Sequence, residues 1–141
     1  IFSMRGITDT AKGRDAALME HLVDRVADAA PGSLIFANFV EFDTEFGHRR
    51  DVSGYAKHLE WFDAAIGRLL PALRDDDLLI LTADHGNDPT WFGTDHTRER
   101  VPVLVHGIGA KALGQCDFVD VAASVAAHLG VEGTGRGRSF L

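Results

Sequence analysis

Five side chains, in two short clusters, are of types that bind divalent metal ions. They are Asp43 and His48 in the first cluster, and Asp84, His85 and His96 in the second. Each cluster combines carboxylate oxygen with imidazole nitrogen, which suits Mn²⁺ or Zn²⁺ better than Ca²⁺. Five ligands are more than one tetrahedral Zn²⁺ ion uses, whereas two neighbouring ions would accommodate them, as in enzymes that handle phosphoryl groups. The residue types therefore predict a two-metal site.

The stretches before the two clusters have the composition of buried strands. Residues 33–42 are rich in aromatic and β-branched types, and Leu78 opens an apolar run that ends just before Asp84. Open α/β sheets bind ligands at the carboxyl ends of parallel strands, which share one edge. We therefore expect Asp43 and Asp84 to be neighbours in space.

The rest of the chain supports an α/β fold. Apolar residues recur at helical spacing in three stretches, which predicts helices over 14–30, 51–73 and 118–129. A further apolar stretch predicts a strand over 101–105. Asp51 is a candidate N-cap and Gly130 a candidate C-cap. Strands that alternate with helices predict a mostly parallel sheet flanked by helices, within a single domain over 1–141.

Composition restricts the classes of partner. The net charge of −7 argues against nucleic acid and against an anionic membrane surface. The sequence contains neither a signal peptide nor an apolar run of the ~18 residues that a membrane span needs. Cys116 is the only cysteine, so an internal disulfide is excluded and a reducing compartment is favoured. We expect a cytoplasmic protein.

Several of these features have a structural interpretation beside the functional one. An Asp-His pair after a strand can be a helix N-cap and a loop histidine. Four arginines flank the clusters: Arg49, Arg50, Arg98 and Arg100. They either hold phosphate through paired hydrogen bonds or offset nearby carboxylates. Trp91 and Phe92 suit a substrate wall or an aromatic lid. Histidines without acidic partners at ligand spacing are interpreted as structural: His21, His58, His106 and His128.

Four sequence motifs carry a resemblance to a known family. TADHGN at 82–87 resembles the metal-binding motif of the alkaline phosphatase superfamily, in its branch of cofactor-independent phosphoglycerate mutases and phosphopentomutases. FDTEFGHRRD at 42–51, GTDHTRERVPVL at 93–104 and GRSF at 137–140 are similar to segments of phosphopentomutases. The similarity is continuous from Ser33 to the C-terminus and looser before Ala30.

The resemblance implies an alkaline-phosphatase-like core and a two-manganese isomerase. Such an enzyme interconverts ribose or deoxyribose 1-phosphate and 5-phosphate through a phosphothreonine, with a sugar bisphosphate as activator. Zn²⁺ or another divalent ion is an alternative to Mn²⁺. The resemblance also divides the ligands between two ions: Asp43, His48 and His96 for one, and Asp84 and His85 for the other.

The sequence also departs from the family pattern. The family's threonine nucleophile and a further aspartate ligand lie in an N-terminal part, before an inserted cap domain, and neither has a match here. We therefore expect the C-terminal portion of the metal-binding core, and we assign no catalytic and no substrate-binding residue. The isolated chain is then expected to be a catalytically inactive metal-binding fragment. A related metal-dependent phosphatase or a cofactor-independent phosphoglycerate mutase is the alternative function.

Overall fold

The computed structural model describes residues 5–141, which contain three α-helices and a two-stranded sheet. In chain order the elements are α1 (Asp15–Asp28), a π-helix (Phe42–Gly47), α2 (Val52–Leu69) with a 3₁₀ turn (Leu70–Ala72), β1 (Leu79–Thr82), β2 (Val103–His106) and α3 (Phe118–Leu129). Across this described range, no helix combines the length and the apolar character that crossing a membrane requires. By its internal contacts the chain divides into two units.

The first unit comprises the described residues up to Leu73 together with Asn87–Thr97. In it α1 packs against α2 and the 3₁₀ turn, and the core contains the fully buried Met19, Ala65 and Leu69. Asp51 caps α2, because its carboxylate accepts a hydrogen bond from the Gly54 N–H at 2.9 Å. The helices predicted over 14–30 and 51–73 are therefore confirmed, as is the Asp51 cap.

The second unit comprises Arg74–Gly86 and Arg98–Leu141. Its two strands pair antiparallel, with Leu79 opposite His106. Helix α3 begins with a capping box and ends at Gly130, whose φ of 64° is left-handed, so the predicted helix and its C-cap are confirmed. The buried Ser124 hydroxyl accepts a hydrogen bond from the Phe140 N–H at 3.0 Å and so fixes the C-terminal tail to α3.

The α/β class is confirmed, but three details of the predicted sheet are wrong for the described residues: the parallel pairing, the strand over 33–42 and the full burial of β1. The sheet has two antiparallel strands, and residues 33–39 form no regular secondary structure. A strand needs a hydrogen-bonded neighbour, which apolar composition alone does not provide. After residue 39 the chain turns into a helix, because the Val40 carbonyl accepts from the N–H groups of Asp43 and Thr44. Strand β1, expected to be buried on both faces, is only half-buried.

Candidate metal centre

Asp43 and His48 are brought together by the π-helix in the first unit. The His48 N–H donates to the Asp43 carbonyl oxygen at 2.9 Å, the i to i+5 bond of a π-helix. In an α-helix, residues five apart would point roughly 140° away from each other. The wider π turn instead lets both side chains reach one side. The residue pattern gave no indication of this backbone geometry.

The Asp43 carboxylate contacts two imidazoles, one through each oxygen. Its Oδ2 lies 3.2 Å from His48 Nε2, and its Oδ1 lies 3.3 Å from His96 Nε2. The two histidine rings are 4.7 Å apart between centroids. The structure thus gathers the three residues that the resemblance assigned to one ion. Their role as ligands stays a prediction.

The hydrogen bonds of His48 indicate what this cluster fits. His48 Nδ1 is hydrogen-bonded to the Thr94 carbonyl oxygen, which can only accept, so we assign the proton to Nδ1. With the proton on Nδ1, Nε2 of the neutral imidazole presents its lone pair toward Asp43, an arrangement that a cation bound by both groups would stabilise. Metal-binding histidines commonly donate their other ring N–H to a carbonyl in this way. The donor set of one carboxylate and two imidazoles therefore fits a divalent ion such as Mn²⁺ or Zn²⁺.

Asn87 holds the Asp43 carboxylate in place. Asn87 Nδ2 donates to Asp43 Oδ1 at 2.7 Å, and Asn87 Oδ1 accepts from Arg50 Nη1 at 2.6 Å. The cationic donor fixes which end of the amide faces Asp43. Sequence reasoning missed Asn87, although it belongs to the quoted TADHGN motif, because its partner lies far away in the sequence.

Arg50 connects the π-helix to the loop that carries His96. Its guanidinium donates to four backbone carbonyls as well as to Asn87: Gly47 at 3.0 Å, Asp88 at 2.9 Å, Gly93 at 2.6 Å and Asp95 at 2.6 Å. The residue also has a left-handed φ of 55°. The sequence left open whether Arg50 holds phosphate or offsets carboxylates. Its hydrogen bonds point to a third role, that of a positioning residue for the His96 loop.

Gly47 leaves no room for a side chain beside Asn87. Gly47 is buried, and a Cβ atom there would lie 2.6 Å from Asn87 Nδ2 and 3.0 Å from the Phe42 carbonyl oxygen. Any larger residue would therefore displace the amide that orients Asp43. The glycine in the FDTEFGHRRD segment is explained by this close approach.

The other flanking residues of the first unit lie nearer the surface. Arg49 forms an ion pair with Glu45 at 2.9 Å, and its side chain is 67% exposed. This pair agrees with the interpretation that the arginine offsets a carboxylate. Trp91 and Phe92 contact each other, with ring centroids 5.0 Å apart, and both are exposed. Their assignment to a substrate wall or a lid stays open.

Asp84 and His85 belong to the second unit, where they follow β1. His85 Nε2 lies 3.7 Å from Asp84 Oδ1, and the Asp84 side chain is 69% exposed. Exposure of this carboxylate leaves its oxygens accessible to an ion. The assignment of both residues to the other metal stays a prediction, as does phosphate contact by Arg98 and Arg100, which lie in the same unit.

Two pKa shifts describe the charge around Asp43. Burial raises the pKa of the Tyr55 hydroxyl, and the negative charges of Asp43 and Asp88 raise it further. Tyr55 therefore stays neutral at physiological pH. Hydrogen bonds from the Thr90 hydroxyl and N–H lower the pKa of Asp88, which keeps this carboxylate ionised. The Tyr55 shift thus partly reflects the negative charges of Asp43 and Asp88, and Arg50 also lowers the pKa of Asp88.

Comparison with known proteins agrees with this chemistry. The chain is 55% identical to a phosphopentomutase of Methylobacterium radiotolerans over 92% of its residues, and 51% identical to one of Shewanella baltica over 100%. It spans only 32% and 36% of those two relatives, about a third of their length. A family model described as the metalloenzyme superfamily matches residues 1–133. The chain belongs to the metalloenzyme superfamily.

Proposed function

We propose that the full-length protein carrying this sequence is a phosphopentomutase. It would interconvert ribose or deoxyribose 1-phosphate and the corresponding 5-phosphate, within an alkaline-phosphatase-type core. The observation that carries the proposal is the arrangement of Asp43 between His48 and His96, with His48 oriented by the Thr94 carbonyl. The similarity to phosphopentomutases selects this reaction among those of metal-dependent enzymes of phosphate esters.

The proposed centre assigns a metal-binding role to five residues. Asp43, His48 and His96 hold one ion, and Asp84 and His85 hold the other, with Mn²⁺ as the first choice and Zn²⁺ as the alternative. Divalent ions there would supply charge neutralisation on the transferring phosphoryl group and a lowered pKa for a hydroxyl nucleophile.

The chain's own residues have a positioning role in this proposal. Asn87 keeps Asp43 Oδ1 at a fixed position, and Arg50 holds both Asn87 and the backbone of the His96 loop. The Thr94 carbonyl keeps the His48 proton on Nδ1, so that Nε2 presents its lone pair. Preorganisation of this kind preserves the site geometry when the substrate's phosphate arrives.

The remaining parts of the proposal concern the whole protein. The phosphoryl carrier is a threonine, to which no residue of this sequence is assigned, and a sugar bisphosphate serves as the activator. The substrate is a small sugar phosphate, and the enzyme is placed in the cytoplasm. These statements rest on the resemblance to phosphopentomutases and on the acidic, single-cysteine composition.

The proposal is tested by incubating the full-length protein with Mn²⁺, ribose 5-phosphate and a catalytic amount of ribose 1,5-bisphosphate. Phosphorus NMR is expected to show ribose 1-phosphate without release of inorganic phosphate. Chelation by EDTA should stop the conversion, and added Mn²⁺ should restore it. Release of inorganic phosphate would instead identify a phosphatase. Interconversion of 2- and 3-phosphoglycerate, with no reaction of the pentose phosphate, would identify a phosphoglycerate mutase.

A further inference from the structure

A second group of metal-binding side chains lies in the first unit, outside the Asp43 centre. Asp15 begins α1, Glu41 precedes the π-helix, and His58 lies on α2. One ligand atom from each lies within 4.8 Å of the others. His58 Nε2 is 2.9 Å from Asp15 Oδ2, so His58 has an acidic partner in space although it has none at ligand spacing in the sequence. The sequence hid this pair because its two members are 43 positions apart.

Asp15 is the unusual member of the group, because a carboxylate is seldom fully buried. Its side chain has no exposed surface. Oδ2 accepts hydrogen bonds from the Glu41 N–H at 3.2 Å and from His58. Oδ1 is also buried, and it has no hydrogen-bond partner among the described residues. A buried, unpartnered carboxylate oxygen is unfavourable and calls for a further partner.

Charge in the group is unbalanced as well. Asp15 and Glu41 bring two carboxylates, whereas His58 supplies at most one positive charge. Arg14 Nε lies 3.5 Å from the Glu41 carboxylate, but its side chain is 82% exposed and therefore interacts weakly. Among the described residues, an ion pair between His58 and Asp15 would still leave Asp15 Oδ1 unpartnered, and only the exposed Arg14 would offset the charge of Glu41.

Aromatic packing holds the His58 ring in place. The ring stacks on Trp61 at 4.7 Å and contacts Phe42 edge-on at 4.5 Å, and the His58 side chain is only 11% exposed. An imidazole that is shielded and fixed in this way faces the buried carboxylate with little competition from water. The group therefore resembles a preorganised binding site more than a solvent-exposed ion pair.

We infer that Asp15, Glu41 and His58 form a further site for a divalent cation, with Zn²⁺ as the ion it fits best. Ligands around a tetrahedral Zn²⁺ ion lie roughly 3.3–3.6 Å apart, and three protein ligands leave one position for water. His58 Nε2 and Asp15 Oδ2, at 2.9 Å, are already within about 0.5 Å of that range, and one ligand atom from each residue lies within 4.8 Å of the others. The ion would give Asp15 Oδ1 its partner and cancel the excess negative charge. It would also link α1 and α2 to the segment that leads into Asp43.

The inference is tested by counting zinc in the full-length protein. Wild-type protein, Asp15→Asn and His58→Gln are equilibrated with ZnCl₂, dialysed, and measured by inductively coupled plasma mass spectrometry. Each variant is expected to hold one zinc ion fewer per chain than wild type. His128→Ala removes an exposed imidazole from α3 and should match wild type. Equal zinc content in wild type and both variants would overturn the inference.

The design separates this site from the Asp43 centre and from loss of folding. The readout is a difference of one ion, so it holds even if the Asp43 centre binds fewer ions than proposed. If Asp15→Asn does not fold, the zinc content of His58→Gln and Glu41→Gln tests the inference instead. Both of those side chains retain some exposure, so we expect their replacement to disturb folding less. Added ZnCl₂ should raise the melting temperature of wild type more than that of His58→Gln. An equal rise in both would contradict a zinc ion at this position.

Discussion

Replacing His96 by alanine in the full-length protein is expected to abolish pentose phosphate interconversion. The substitution removes one of the two imidazoles that contact Asp43. Loss of a residue that only orients a ligand costs about 10–100-fold in metal affinity, so loss of a ligand should cost about 100-fold or more. We therefore expect the Mn²⁺ affinity of the Asp43 centre and the turnover to fall together.

Mn²⁺ titration followed by electron paramagnetic resonance, beside the phosphorus NMR assay, measures both effects. His128→Ala serves as the control, because it removes an exposed histidine of α3 and should leave both quantities unchanged. Circular dichroism shows whether each variant is folded. Undiminished turnover of a folded His96→Ala variant would contradict the assignment of His96 as a ligand.

Replacing Arg50 by alanine is expected to lower the free energy of unfolding by about 2–4 kcal/mol. The guanidinium makes five hydrogen bonds to the π-helix end, Asn87 and the His96 loop, and most of their acceptors are backbone carbonyls that would lose a charged donor. Because Asn87 would no longer be held against Asp43, Mn²⁺ affinity should also fall by about 10–100-fold.

Arg49→Ala is the matched control for this prediction. Arg49 is the adjacent residue with the same charge, but it forms one surface ion pair with Glu45. Its removal should cost about 0.5 kcal/mol or less. Urea denaturation gives the free energy of unfolding of both variants for comparison with wild type. Equal destabilisation by the two substitutions would show that the hydrogen bonds of Arg50 do not stabilise the loop.

Local patterns were sufficient to predict the three α-helices of the described residues. Apolar residues at helical spacing, with Asp51 at one helix start and Gly130 at one helix end, depend only on neighbours in the chain. The strand expected over 33–42 failed because a strand depends on a hydrogen-bonded partner that composition does not reveal. The antiparallel pairing of β1 with β2 likewise depends on both strands, so the sequence of one strand alone does not predict it.

The candidate site likewise contains residues that the sequence predicted and residues that it did not. Asp43, His48 and His96 were found from residue type and motif, since ligand chemistry restricts which side chains qualify. The contacts that orient them were not found. Asn87 reaches Asp43 across 44 positions, and Arg50 reaches Gly93 across 43. Side chains that act through such distant partners carry no local signature.

The most direct test of a metal ion at the Asp43 centre is anomalous diffraction from crystals of the full-length protein grown with Mn²⁺. Data collected above and below the manganese absorption edge should give an anomalous difference peak. The peak should lie within bonding distance of an Asp43 carboxylate oxygen and of Nε2 of both His48 and His96. The Thr94 carbonyl should still accept the hydrogen bond from His48 Nδ1. If crystals saturated with Mn²⁺ show manganese peaks only away from Asp43, His48 and His96, the assignment of these three residues as metal ligands is contradicted.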